Sequence, residues 1–392
     1  MGRQYSAKTF LRNTPNELLK QYFDRRGIDL DLDWSYLGET DVEPLFVVLE
    51  KLDDETHSAI DADFRMVYDL ACDDGVLQIV EQATLFDADV SSEFHDMRNA
   101  YERAFWTFLN QPVLFRTAGR FHEMDRYGGW HRRFVGYRLE ARTDDAALRA
   151  FSSKLRLFYR KQGRGKHCHV DYYLRQDPQR HCFFAYPEDY ANAEIGYDSA
   201  GRFQQRARRS AFEIIFVYRP EEGTIEVHAR GGNRDLIQLE TIFCTNILGL
   251  VELPDDSGKV PYDLSVLKQP DFAFPLDPAH GVESVELRAL RYDLPQDSKT
   301  GAGRRLVLTV ASRRNAGDAL QRLRSDALSA NLRPDDLLPS QARLRMTFRP
   351  QNGHRPKAMT FEVTYPDRCT LKDDPHDQLA RKCLRAWGIA RD

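Results

Sequence analysis

Apolar residues recur three and four positions apart through the first hundred residues and two apart through much of the second half. The first rhythm predicts amphipathic helices and the second half-buried strands. Leu18, Leu19, Tyr22 and Phe23 follow Thr14-Pro15-Asn16-Glu17, which places a capping threonine, a proline at the first helical position and a glutamate three residues after the cap. Gly27 supplies the left-handed stop. Further helices are expected at Val42 to Leu52, at Asp53 to Cys72 (Ile60, Phe64, Val67 and Leu70 on one face), at Val76 to Phe86 and at Ser91 to Asn110. Between residues 112 and 140 the pattern breaks into a glycine-punctuated, aromatic and basic stretch. A helix resumes at Thr143, with Asp144 and Asp145 in its first turn, and runs to about Arg160.

From residue 166 the period changes to two. Lys166 to Arg175 and Arg180 to Tyr186 read as a hairpin about Asp177-Pro178. Phe212 to Tyr218 and Thr224 to Arg230 read as a second, followed by a helix from Asn233 to about Gly249. Val282 to Tyr292 pairs with Arg304 to Ser312 ahead of a helix over 315–329, and Leu344 to Arg349 pairs with Ala358 to Tyr365 ahead of a helix from Pro375 to Trp387. Three strand–strand–helix units in succession predict a mixed or antiparallel sheet with helices on one face. Five prolines between Val251 and Ala279 cannot sustain a helix or a central strand, so that stretch reads as a linker. The expected class is α+β. The expected domains are an acidic helical domain over 1–110, a basic-aromatic segment with an α+β domain over 111–275, and a C-terminal α+β domain over 276–392.

Composition adds an uneven charge. The net formal charge is −4, yet residues 1–100 hold 9 Lys and Arg against 22 Asp and Glu, while residues 101–210 hold 21 against 12. A polyanion-binding surface next to an acidic region that avoids it would give this asymmetry, and so would acidic and basic parts packed together. Asp and Glu at predicted helix starts suit the helix dipole, which gives much of the acidity a structural reason. No run approaches the roughly 18 apolar residues of a membrane span, and the N-terminus lacks the apolar stretch of a secretory signal. A cytoplasmic location without membrane contact is therefore expected. Six scattered cysteines without a CxxC pair read as free or buried thiols. Arginines number 44 against 12 lysines, which points to a GC-rich bacterial source.

Catalytic signatures fail one by one. Gln162-Gly163-Arg164-Gly165-Lys166-His167 lacks the spacing and hydroxyl of a phosphate loop, Gly301-Ala302-Gly303 lacks a third glycine, and Arg126 stands where a zinc-protease helix beginning His122-Glu123 needs a histidine. His167, His169 and Asp171 share one face of the first predicted strand, and a two-residue turn would add Cys182. These are the candidate metal ligands, in a set that zinc accepts. Glu213 and Glu226, with His228, Asp198 and Glu240 in reach, are the candidates for a metal-dependent hydrolase. No cofactor is favoured.

Interleaved rings and cations are the stronger signal. Arg126, Trp130, His131, Arg132, Arg133, Phe134, Tyr137 and Arg138 form one stretch. Arg156, Phe158, Tyr159, Arg160, Lys161, Arg164 and Lys166 form another, and Arg206, Arg208 and Arg209 a third. Guanidinium groups fork onto phosphates while exposed rings stack on bases; rings at a core period with arginines at its rim would look similar. The leading expectation is a non-catalytic component that contacts nucleic acid through Trp130, Arg132, Arg133, Arg164, Lys166, Arg208 and Arg209. The acidic helical domain would engage a protein partner or mask the basic surface. The competing expectations are a metal-dependent hydrolase of phosphodiesters and a structural subunit of a multiprotein assembly.

Overall fold

The computed structural model describes residues 4–176, 178–198, 201–255, 261–269, 272–277, 280–294, 304–309, 338–349, 357–366, 368–372 and 375–391. The chain is α+β, with eleven helices and two antiparallel sheets among the described residues. It divides into two compact units, Met1–Asp125 with Tyr190–Ser210 and Arg126–Asp189 with Ala211–Asp392.

Helices build the first unit up to residue 125. They are α1 (Ala7–Asn13), α2 (Asn16–Arg26), α3 (Glu43–Leu49), α4 (Asp54–Leu70), α5 (Asp73–Ala83), α6 (Val90–Phe94), α7 (Ala100–Asn110) and α8 (Pro112–Arg126, whose last residue counts with the second unit). The apolar stripes read from the sequence meet in one aromatic core. Phe10 stacks on Phe64 at 4.6 Å between centroids, and Phe105 meets both rings edge-on at 5.9 Å. Each such buried ring contributes about 1.5–3 kcal/mol by leaving water.

The structure departs from three local expectations. Thr14 does not cap α2; its hydroxyl donates to Phe10 O at 2.9 Å and closes α1, while Pro15 occupies the cap position. The helix expected over Ser91 to Asn110 is two, because Asn99 turns the chain and accepts from Glu102 N to start α7. The stretch from 112 holds α8, with Leu114, Phe115, Ala118 and Phe121 buried at helical spacing. Gly27 ends α2 in the left-handed conformation, as its position implies. Asp53 and Asp89 cap α4 and α6, and the N–H groups of Thr56 and Ser92 hold their carboxyls below the ordinary range.

The first sheet is ordered β1-β6-β5-β3-β2, with β4 also paired to β3; β3 past Asp189 and β4 up to Ser210 count with the first unit and the rest with the second. Its strands are β1 (His131–Phe134), β2 (Cys168–Gln176), β3 (Gln179–Tyr197), β4 (Phe203–Ala211), β5 (Ile214–Arg219) and β6 (Thr224–His228). The 220–223 turn closes the expected second hairpin, which opens with Arg219 opposite Thr224. Phe183, Phe216, Ile225 and Val227 face α9 (Asp145–Arg160) and α10 (Asn233–Asn246), where Phe151, Leu155, Leu239 and Phe243 complete a core. Phe216 and Phe243 lie parallel at 5.2 Å. The opposite sheet face is equally buried and mixes polar with apolar groups: Arg219, Thr224 and Glu226 lie on it with Cys182, Phe184, Ile215 and Val217, each under a tenth exposed.

The second sheet is ordered β11-β10-β9-β7-β8, from β7 (Val282–Leu294), β8 (Arg304–Thr309), β9 (Leu338–Phe348), β10 (Ala358–Thr364) and β11 (Arg368–Cys369). Burial alternates cleanly along β9: Ala342, Leu344 and Met346 point in, Gln341, Arg343 and Arg345 out. The final helix, Pro375–Ala386, covers the inner face with Ala380, Cys383 and Leu384. The described parts of the proline-rich stretch hold one short 3-10 turn, Ser265–Lys268, and they are not a free linker. Tyr262, Leu264 and Leu267 are buried in this same core, and Trp387 Nε1 donates to Pro275 O at 2.8 Å. The helix expected over 315–329 lies outside the described residues.

Candidate nucleic-acid interface

Alternation along β1 separates the two arginines that the sequence sets side by side. Arg132 is paired with Glu226 in the register and donates to Glu222 Oε2 at 2.5 Å on the face away from the helices. Arg133 points to the helical face and donates Nε to Glu240 Oε2 at 2.6 Å. His131 Nδ1 lies 2.5 Å from the other oxygen of Glu240, whose side chain is fully buried. Both guanidinium groups are thus engaged by carboxylates, at 23% and 13% exposure. Trp130 is half-buried; its Nε1 donates to Tyr127 O, and its ring lies against His228, which stacks flat on Tyr127 at 4.5 Å.

Polar groups gather where Arg132 lies. Arg219 and Glu226 form a cross-strand pair at 3.0 Å with 5% exposure each, and Arg385 reaches Glu222 at 3.9 Å. Burial alone would raise the Glu222 carboxyl, but the field of Arg219, Arg132, Arg381 and Arg385 outweighs it and holds the group below its ordinary range. This cluster has the character of an internal ion network.

Arg164 and Lys166 lie in the loop after α9. Arg164 is sandwiched between the rings of Tyr159 and Phe212, 4.8 and 4.6 Å from their centroids, and pairs with Asp189 at 3.3 Å. Gly165 sits between them at φ +76, where a Cβ would come within 2.6 Å of the Tyr159 Cβ. Lys166 is exposed.

The metal candidates come together in part. The two-residue turn sets Gln176 opposite Gln179, so Asp171 faces Phe184 and Tyr173 faces Cys182. That register puts Cys182 on the face of His169 and Asp171. His169 Nε2 contacts Asp171 Oδ1 at 2.8 Å, but its side chain is 71% exposed while Cys182 is fully buried one pair further along. His167 precedes the strand and is exposed. Among the described residues no group of three or more His, Cys, Asp and Glu side chains converges on a metal position. The carboxylates of the hydrolase reading are dispersed. Glu226 and Glu240 lie on opposite sheet faces, Glu213 accepts from Tyr127 OH at 3.4 Å, and Asp198 pairs with Arg202.

Arg208 and Arg209 stand on an element that sequence patterning does not show. Past Asp189, β3 continues to Tyr197 and pairs with β4 as a two-stranded ribbon. Asp198 N donates to Arg202 O, and Gly201 N donates to Asp198 O with Gly201 at φ +71, which closes the tip. From Tyr190 to Ala211 every described residue is exposed or half-exposed. Tyr190 is 45% exposed, Ile195 67%, Tyr197 73% and Phe203 65%. The ribbon carries Arg202, Arg206, Arg208 and Arg209 against Glu194 and Asp198.

Its faces differ. Tyr197 meets Phe203 edge-on at 6.0 Å across the two strands, which sets them with Ile195, Ala193 and Ala207 on one face by alternation. Arg208 pairs with Glu194 at 3.2 Å, and Arg206 Nε donates to Gln204 Oε1 at 2.8 Å. These four share the other face with Asn192 and Tyr190. Among the described residues no helix is long and apolar enough to cross a membrane. No family model matches the chain, and no curated protein and no solved structure matches it.

Proposed function

We propose that this chain binds nucleic acid through the ribbon of residues 190–211. The observation that carries the reading is that no described residue of the ribbon is buried, together with its charge, four arginines against two acids. A two-stranded hairpin in water is only marginally stable, and apolar side chains held exposed on it gain nothing from the fold itself. Guanidinium groups spaced along it match a phosphate backbone, which supplies most of the affinity in such complexes. Arg132, Arg133 and Arg164, bonded inside the second unit, contribute less to such binding than Arg202, Arg206, Arg208 and Arg209.

Fluorescence anisotropy of the full chain on DNA and RNA across a salt series tests this. The variant with Arg202, Arg206, Arg208 and Arg209 all changed to glutamine should bind more weakly, with a salt slope shallower by roughly one unit for each phosphate it no longer neutralises. Unchanged affinity and slope in that variant would sink the assignment.

A further inference from the structure

We infer that the ribbon reads base edges in the major groove of B-form duplex DNA through Asn192, Gln204, Arg206 and Arg208, an inference that rests on the nucleic-acid reading above. The two faces differ in side-chain chemistry. One holds Ile195, Tyr197, Phe203 and alanines with Gln205 and Arg209; the other holds Asn192, Gln204, Arg206 and Arg208 with Tyr190 and Glu194. Asn and Gln can each accept from and donate to adenine N6 and N7, and arginine forks onto guanine O6 and N7. Asparagine and glutamine also bond phosphates, but only at base edges do they distinguish one sequence from another.

Geometry selects the duplex. The eight residues from Tyr190 to Tyr197 span about 27 Å of strand, and a two-stranded ribbon fits the roughly 12 Å width of the B-DNA major groove. Duplex RNA presents a deep, narrow major groove that side chains cannot enter. Single strands are bound by rings that lie open to stack on successive bases. Here Tyr197 and Phe203 cross at 74° and already occupy one another, on the face away from Asn192 and Gln204. Side-chain bonds hold the reading face in order: Gln204 orients Arg206, and Glu194 orients Arg208. Arg202, at the tip, and Arg209, on the apolar face, are placed for phosphates at the groove edge.

The test uses the full chain and a random-sequence DNA duplex pool carried through cycles of binding and recovery. The pool should converge on a consensus, and duplex RNA of that sequence should bind about tenfold more weakly or worse. Gln204→Ala should lower the preference at one base pair by roughly 5- to 150-fold while leaving the salt slope unchanged, and Arg206→Ala should do so at another. A pool that does not converge, duplex RNA bound as tightly, or single strands bound more tightly would each overturn the inference. Unselective binding that the four-arginine variant still loses would overturn it and leave the nucleic-acid reading standing. No binding by the unaltered chain at low salt would end both.

Discussion

Arg133 fastens the edge strand β1 to α10 by donating Nε to Glu240, 2.6 Å away, where the carboxylate is fully buried and also meets His131. Removing one partner of a buried pair strands the other charge, at a cost of about 3–5 kcal/mol. Glu240→Gln should therefore shift the urea midpoint of the second unit strongly. Arg208→Gln breaks a pair that is 70% and 58% exposed and should leave stability nearly unchanged, since such pairs are worth about 0–1 kcal/mol. Equal effects from the two would contradict this ranking.

Arg219 and Glu226 make a different demand. They form a cross-strand pair at 5% exposure on the sheet face away from the helices. Glu226→Gln alone should destabilise by roughly 3–5 kcal/mol, whereas Arg219→Met with Glu226→Leu removes both desolvated charges and should recover most of that loss. A double-mutant cycle in chemical denaturation measures the coupling. A double variant no more stable than Glu226→Gln would show that the wider network with Glu222 and Arg132 needs the pair intact.

Gly165 is irreplaceable on two counts, its φ of +76 and the 2.6 Å approach a Cβ would make to Tyr159. Gly165→Ala should cost about 1–3 kcal/mol and loosen the Arg164 sandwich. Gly128, with open space around its Cβ position and no left-handed φ, should accept alanine without measurable loss. Thermal melting of the two variants makes the comparison.

Acid should weaken the second unit before its carboxylates titrate. Burial lowers both His181 and His228 from the ordinary value of 6.5. Both are neutral in the folded and unfolded chain above that pH, so nothing is lost there. As pH falls through 6.5 the unfolded chain takes up protons first, and stability declines until the folded residues also protonate. The melting temperature should fall between about pH 7 and about pH 5, and His228→Phe should flatten part of that slope. A pH-independent melt over this range would contradict the burial of these rings.

Much of the architecture is legible in the sequence because one buried face imposes a period. The 3.6 rhythm of Ile60, Phe64 and Val67 and the alternation of Leu344 and Met346 are direct records of a core on one side. In the first hairpin a two-residue turn is the one register that puts Cys182 on the face of Asp171, and the observed pairing of Gln176 with Gln179 has it. In α8, Leu114, Ala118 and Phe121 hold the right spacing, obscured by Gly119 and the charged residues between them. Thr14 reads as the cap of α2 yet closes α1, because a capping hydroxyl can serve the helix before it as well as the one after.

The ribbon leaves no such record. Residues 190–197 read Tyr-Ala-Asn-Ala-Glu-Ile-Gly-Tyr, with few strand formers and no buried face to enforce alternation. Sequence by itself determined the class, the helical first hundred residues, the four hairpin-like strand pairings and the existence of arginine-rich stretches, because composition and period are local properties. Which arginines meet a carboxylate and which face water was decided only by tertiary structure. Adjacent residues such as Arg132 and Arg133 diverge to opposite faces of a strand, and their partners Glu222 and Glu240 lie 90 and 107 residues away along the chain.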